Sequence, residues 1–338
     1  MESKNNNRLA GYWIRRFLTE YLTGMRNLSV NTMHSYRDMI RLLMPFIGKI
    51  MRKSVDDILI DELSRERVIK FLDHLENDRN CSCQTRNQRL SGIVALAKYV
   101  AANSPEHIEW CQNIRSIPIK KGAKRVITYL EKEEMDALLA LPDRKDTQGY
   151  RDYSLLLFLY NTGARAEEAA NLTIGDLEIG YGSKLHFASI TGKGRKTRRC
   201  PLWDNTCKAL AVLTKDRKEN ESVFINRLGK PITRFGIYET VVKYAATLAK
   251  VMPSIEKKRL TPHTIRHTTA THLLQAGVDI NTIRAWLGHV SINTTNLYAE
   301  VNLKMKAAAL LKYKVDDVSE KKPRWKDDRK LMDFLDNL

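Results

Sequence analysis

Cysteine is scarce in this chain and none of it stands at a spacing that gives it a fixed task. The five present, Cys81, Cys83, Cys111, Cys200 and Cys207, make an odd number without one CxxC pair, and Cys81-x-Cys83 is tighter than a zinc knuckle needs. A disulfide scaffold and a zinc ribbon are thereby excluded, and the thiols read as free in a reducing compartment. A run of about 18 apolar residues is also missing, which removes a membrane-spanning helix. The opening residues, MESKNNNRLAGYW, lack the apolar core of a secretory signal, so the expected location is the cytoplasm. There is no internal repeat and no low-complexity tract, which leaves an ordinary globular chain.

Negative charge is in short supply as well. Asp and Glu number 39 against 57 Lys and Arg, a net charge of +18, and such an excess calls for a polyanionic partner, nucleic acid first. With 338 residues, 43% of them apolar, the chain has room for two domains with cores of their own.

Helical periodicity fills residues 8–115. In LSVNTMHSYRDMIRLLMPFIG, Met33, Tyr36, Ile40, Leu43 and Met44 recur at three-to-four spacing behind a Ser29 or Asn31 cap, and Pro45 is expected to stop the helix. Ser64 opens another helix with Val68, Phe71, Leu72 and Leu75 on one face, and a third carries Leu90, Ile93 and Ala97 with Arg86 and Arg89 beside them. Residues 116–127 change character: Pro118, Gly122, Lys120, Lys121, Lys124 and Arg125 read as an extended basic linker suited to a phosphate backbone. Residues 128–315 are helical again except for SKLHFASITGKGRKTRRCPL, where Leu185, Phe187 and Ser189 alternate before a glycine-containing tip, the pattern of a hairpin; Val223 to Ile225 is a second short strand candidate. Residues 316–338 form a polar tether ending in Leu331, Phe334, Leu335 and Leu338 at helical spacing, an apolar face that needs a docking site on its own domain or on a neighbouring subunit.

In LTPHTIRHTTATHLLQAG, Thr261 caps a helix, Pro262 occupies its first turn and Gly277 follows its end. His263, Arg266 and His267 then share a face while Leu273 and Leu274 serve the core. Two histidines four apart suggest zinc, but Thr264 stands where a metalloprotease helix has glutamate, and the fixed charge of Arg266 opposes a cation. An anion suits the set better, because both residue types donate hydrogen bonds. Arg165 follows a Gly163 turn with Glu168 three residues on, placed to hold its guanidinium. The hairpin tip presents Lys193 between two glycines, followed by Arg195, Lys196, Arg198 and Arg199.

The stretch LGHVSINTTNLYAEV, residues 287–301, adds His289 and, nine residues later, Tyr298. Taken in order, Arg165 within GxRxxE, the hairpin Lys193, His263-x-x-Arg266, LGH and the tyrosine resemble the signature of the tyrosine recombinases, the phage-integrase family. One departure is Ala169, where leucine is more usual. The resemblance implies a mainly α fold with a small antiparallel β-sheet: a helical, SAM-like core-binding bundle and a catalytic domain that close on DNA as a C-shaped clamp. It makes Tyr298 the nucleophile, Arg165 and Arg266 the pair holding the scissile phosphate, Lys193 the general acid, His263 a proton-transfer partner, His289 a phosphate hydrogen-bond donor and Glu168 the acidic support. Lys120, Lys121, Lys124, Arg125, Arg86, Arg89, Arg195, Lys196, Arg198 and Arg199 are the expected DNA contacts.

The same resemblance implies neither metal nor ATP, because arginines and imidazoles stabilise the phosphorane charge and a phosphotyrosine ester retains the energy of the cut bond. It implies double-stranded DNA with inverted-repeat core sites, a tetramer on two sites, a partner recombinase or directionality factor, and a place with the bacterial nucleoid. With little chain ahead of the bundle, no arm-binding domain is expected. A mobile-element integrase is the first role expected; the alternatives are Xer-like dimer resolution, a type IB topoisomerase and a DNA-binding protein without chemistry.

Overall fold

The computed structural model describes residues 7–26, 28, 30–122, 128–179, 185–192, 194–288, 333 and 335–337. Lys124, Arg125, Lys193, His289, Tyr298 and most of the C-terminal tail lie outside the described residues. The chain divides into two compact units, residues 1–125 and 126–338, each with its own hydrophobic core.

In the first unit α1, Ala10–Arg16, runs on into a π-helical stretch, Phe17–Met25, where the Arg26 N–H reaches back five residues to the Tyr21 carbonyl at 2.9 Å. The wider turn suits two core residues five apart, Phe17 and Leu22, which both become buried. Four helices follow: α2 Val30–Met51, α3 Arg65–Asn77, α4 Cys83–Asn103 and α5 Ile108–Arg115. Ser64 and Ser82 cap α3 and α4 by accepting the N–H of Arg67 and Thr85. The apolar faces read from periodicity meet in one core, with Leu43, Phe71, Leu72, Leu90, Ile93 and Ala97 at its centre.

Pro45 does not end α2, contrary to the expectation from sequence; the helix continues one and a half turns to Met51. Proline removes one hydrogen bond to the carbonyl four residues back, but Arg41 and Pro45 both face solvent, so water can satisfy the freed group. Burial of Met44, Ile47 and Gly48 on the opposite side keeps the helix together. Asn31 is likewise no cap but lies inside the first turn of α2.

The second unit contains α6 Lys132–Ala140, α7 Thr147–Thr162, α8 Ala166–Ala170, β1 Leu177–Glu178, β2 His186–Thr191, β3 Thr197–Leu202, α9 Asp204–Thr214, α10 Arg234–Ala249, α11 Pro253–Glu256, α12 Pro262–Gln275 and α13 Ile280–Leu287. Helix α7 is the central element; Leu155 to Thr162 are all buried, with α12 and α9 packed beside it. The sheet has the order β1-β2-β3, antiparallel throughout, and the hairpin register pairs Ala188 with Cys200 and Ile190 with Arg198. Ala188 and Ile190 form its core face, while Leu185, just ahead of β2, is 65% exposed. The alternation read from sequence is present, and Phe187, on the other face, takes the Arg199 guanidinium over its ring. Val223–Ile225 does not join the sheet. Val223 donates its N–H to the Leu172 carbonyl, and Ile225 makes an isolated bridge to Pro231 that closes the turn that follows.

Candidate active site

The site is assembled where α7 ends. Gly163 terminates the helix with φ +60, and a β-carbon there would lie 2.4 Å from Leu287 Cδ2, so the position requires glycine on both grounds. That close approach lets one side chain bridge two helix ends. Arg266 of α12, 3% exposed, donates Nη1 to the Gly163 carbonyl and Nη2 to the Leu287 carbonyl, each at 2.6 Å. Thr261 and Pro262 start α12 as the sequence indicates, with the Thr261 hydroxyl accepting the Thr264 N–H.

Two residues beyond Gly163, Arg165 stands as the N-cap of α8, about one-third exposed. Its Nη1 meets Glu168 Oε1 at 2.7 Å, and its backbone N–H is taken by Glu168 Oε2 at 3.0 Å. The i, i+3 support expected from sequence is therefore present, and Glu168 itself is buried. Burial would raise the Glu168 carboxyl, but hydrogen bonds and charge from Arg198, with Arg165 adding to them, outweigh it and hold the group below the ordinary carboxylate range.

His263 lies at the surface one turn before Arg266, its ring 6.3 Å from that of His267. Crowding by protein lowers its pKa, and the charges of Arg266 and Arg165 lower it further, so the imidazole is neutral at neutral pH. His267, more enclosed, is pushed down to about 4 by burial, His263 and Arg266. Among the described residues no group of three His, Cys, Asp or Glu is placed to hold a metal ion.

Three expected DNA contacts have other work. Arg86 is buried and donates Nη1 to the Pro118 carbonyl, while the neighbouring Asn87 brackets Lys120 through its N–H and carbonyl; together they bind the start of the basic linker to α4. Arg89 donates to the Ser35 carbonyl and ties α4 to α2. Arg198 is 11% exposed and engages Glu168 and the Trp286 carbonyl. A long cation beside a basic face looks like a phosphate contact in sequence, and only packing reveals a carbonyl partner instead. Lys121, Arg195 and Lys196 are exposed; Lys120 is exposed and paired with Glu76, and Arg199 is exposed and paired with Glu178. What sequence reading missed is the part played by Gly163, Arg198 and Trp286, and Gly163 alone had left a signal, as a turn just before Arg165.

The phage integrase family matches residues 128–305, and the phage integrase N-terminal SAM-like domain matches residues 12–104. A Sinorhizobium fredii protein named as an integrase/recombinase, y4rC, is 36% identical over 96% of this chain and 97% of its own length. The tyrosine recombinase XerD of Staphylococcus epidermidis is 31% identical over 84% of this chain and 94% of its own. Among solved structures, the Tn1549 transposon integrase with transposon right-end DNA shares the fold at a TM-score of 0.69 and 18% identity, covering 89% of this chain and 99% of that one. XerH bound to its difH substrate gives 0.66 and 20%, covering 85% and 81%. Family match, relatives and site together show that the chain belongs to the phage integrase family of tyrosine recombinases, enzymes that cut and rejoin DNA through a phosphotyrosine bond.

Proposed function

We propose that this chain is a site-specific recombinase of a mobile element, using Tyr298 as nucleophile. The phenolic oxygen attacks the scissile phosphorus, the 5′ oxygen leaves with a proton from Lys193, and a 3′-phosphotyrosine remains. Neutral His263 takes part in moving the phenolic proton, and Arg165, Arg266 and His289 hold the non-bridging oxygens as charge gathers on them. The 5′ hydroxyl of a partner duplex then attacks the ester, so strand exchange through a Holliday junction needs neither metal nor ATP. Four protomers on two inverted-repeat sites supply the four cleavages.

One observation carries this reading: two arginines of the catalytic unit are held in place by the protein, Arg165 by buried Glu168 and Arg266 by the carbonyls of Gly163 and Leu287. Guanidiniums fixed in advance stabilise the transition state without reorganising. The relative matched over almost the whole chain, named as an integrase/recombinase, favours the mobile-element role; the XerD relatives favour a second reading, resolution of replicon dimers.

The test uses the chain's own flanking DNA, with the protected site mapped by footprinting and a nicked half-site built from it. A covalent protein–DNA adduct that disappears in Tyr298→Phe, with binding retained, is the expected result. No adduct with the native chain overturns the enzymatic reading. Recombination between two separate duplexes supports the mobile-element role, whereas recombination confined to directly repeated sites on one molecule supports dimer resolution.

A further inference from the structure

Arg198 does more than fill a half-buried position. It sits on β3, and its guanidinium divides one edge between two acceptors: Nη2 goes to Glu168 Oε2 at 2.7 Å and Nε to the Trp286 carbonyl at 2.8 Å. Cys200, two residues on along the same face of β3, points its Sγ at the same carbonyl at 3.3 Å. The next carbonyl of α13, that of Leu287, is taken by Arg266. Two cations from different elements therefore cap the C-terminus of one eight-residue helix, where the unpaired carbonyls favour positive charge. Gly288 closes that helix at φ +66, and a β-carbon on it would come within 3.1 Å of both Cδ and Nη1 of Arg198. In sequence His289 follows Gly288 directly, and Lys193 precedes the start of β3 by four residues.

We propose that Arg198 is a positioning residue for phosphate activation, joining the hairpin strand, the carboxylate that braces Arg165 and the helix end that leads to His289. This role presupposes the recombinase site proposed above. Glu168 gives Oε1 to the Arg165 guanidinium and Oε2 to the Arg198 guanidinium, with Oε2 also taking the Arg165 backbone N–H. With Arg198 occupying Oε2, the carboxylate is held so that Arg165 is oriented from one side only and keeps its remaining donors for an anion. Without Arg198, Glu168 is released from β3 and turns Oε2 as well as Oε1 to the Arg165 guanidinium, which pulls that guanidinium from the phosphate and cancels its charge. The same loss frees the Trp286 carbonyl and the turn at Gly288. Arginine is required because lysine, a single point donor on a stem one atom shorter, does not span a carbonyl and a carboxylate with one rigid edge.

The experiment compares the native chain with Arg198→Lys, Arg198→Gln and Gly288→Ala on two half-sites, one with a normal scissile phosphate and one with a methylphosphonate that carries no charge there. Adduct formation is timed with protein prebound to DNA, and melting temperature and DNA affinity are recorded beside it. The expected result is a loss of at least 30-fold on the phosphate for Arg198→Gln, a loss below fivefold on the methylphosphonate, unchanged affinity, and the same selective pattern in Gly288→Ala. An equal fold-loss on both substrates, or a weakened affinity with native adduct rates, overturns the proposal and leaves Arg198 as a packing residue or a DNA contact. Native rates in folded Arg198→Lys overturn the requirement for arginine. Should Arg198→Gln not fold, Gly288→Ala and Arg198→Lys carry the comparison. An adduct formed by the native chain separates failure here from failure of the recombinase reading.

Discussion

Arg266 Nη1 meets the Gly163 carbonyl at 2.6 Å, so this arginine of α12 is fastened to the end of α7, a helix buried along most of its length. The contact exists because Gly163 lacks a side chain and Leu287 occupies the space one would need. Its consequences reach stability and rate together.

Gly163→Ala is expected to destabilise the catalytic unit by about 2–4 kcal/mol, from the left-handed φ and the clash with Leu287. Calorimetric melting measures it. Placed in a Leu287→Ala background, the same substitution costs less by about 1–2 kcal/mol, since the clash is gone and the backbone strain remains. Equal costs in the two backgrounds refute the steric account.

Arg266→Ala removes the donors of two carbonyls and one positive charge. A stability loss of about 2–4 kcal/mol follows from the carbonyls, and adduct formation drops by roughly 10²–10³ from the charge. If stability falls while the rate holds, Arg266 is structural only.

Stability rises with pH between about 4 and 6.5. His267 stays neutral in the folded chain down to about 4, whereas in the unfolded chain it takes a proton below its ordinary value near 6.5. The unfolded state therefore binds more protons in that window, and acidification favours it by on the order of 2 kcal/mol. Glu168 acts in the same direction, because its lowered pKa gives stability that is lost as pH falls through it. In His267→Gln the melting temperature between pH 5 and pH 7 should flatten; an unaltered slope counts against His267 as the source.

Salt dependence separates phosphate contacts from structural cations. Lys196→Ala at the exposed hairpin tip is expected to make the slope of log affinity against log salt shallower by about one, with the melting temperature unchanged. Arg86→Ala should lower the melting temperature and leave the slope alone, because its partner is the Pro118 carbonyl. The reverse pattern would return Arg86 to the DNA surface.

Much of this protein was legible in its sequence because the signals are local. Ser64 and Thr261 cap their helices within three residues, Glu168 braces Arg165 from one turn away, and the apolar faces of α3 and α4 follow from spacing alone. Order and residue type along the chain also carried the family, since Arg165, His263, Arg266 and the residues after Leu287 appear at fixed separations. Other features depended on neighbours far away in the chain. Which face of β2 turned inward was decided by the helices above it, and Pro45 was tolerated because its face met water. Arg86 and Arg198 are indistinguishable from DNA-contacting cations until the carbonyls of Pro118 and Trp286 arrive, 32 and 88 residues away. Sequence determines which charges exist and where helices begin; only the tertiary fold decides which of those charges are spent on the protein itself, because a buried carbonyl or carboxylate must find a donor wherever one comes within reach.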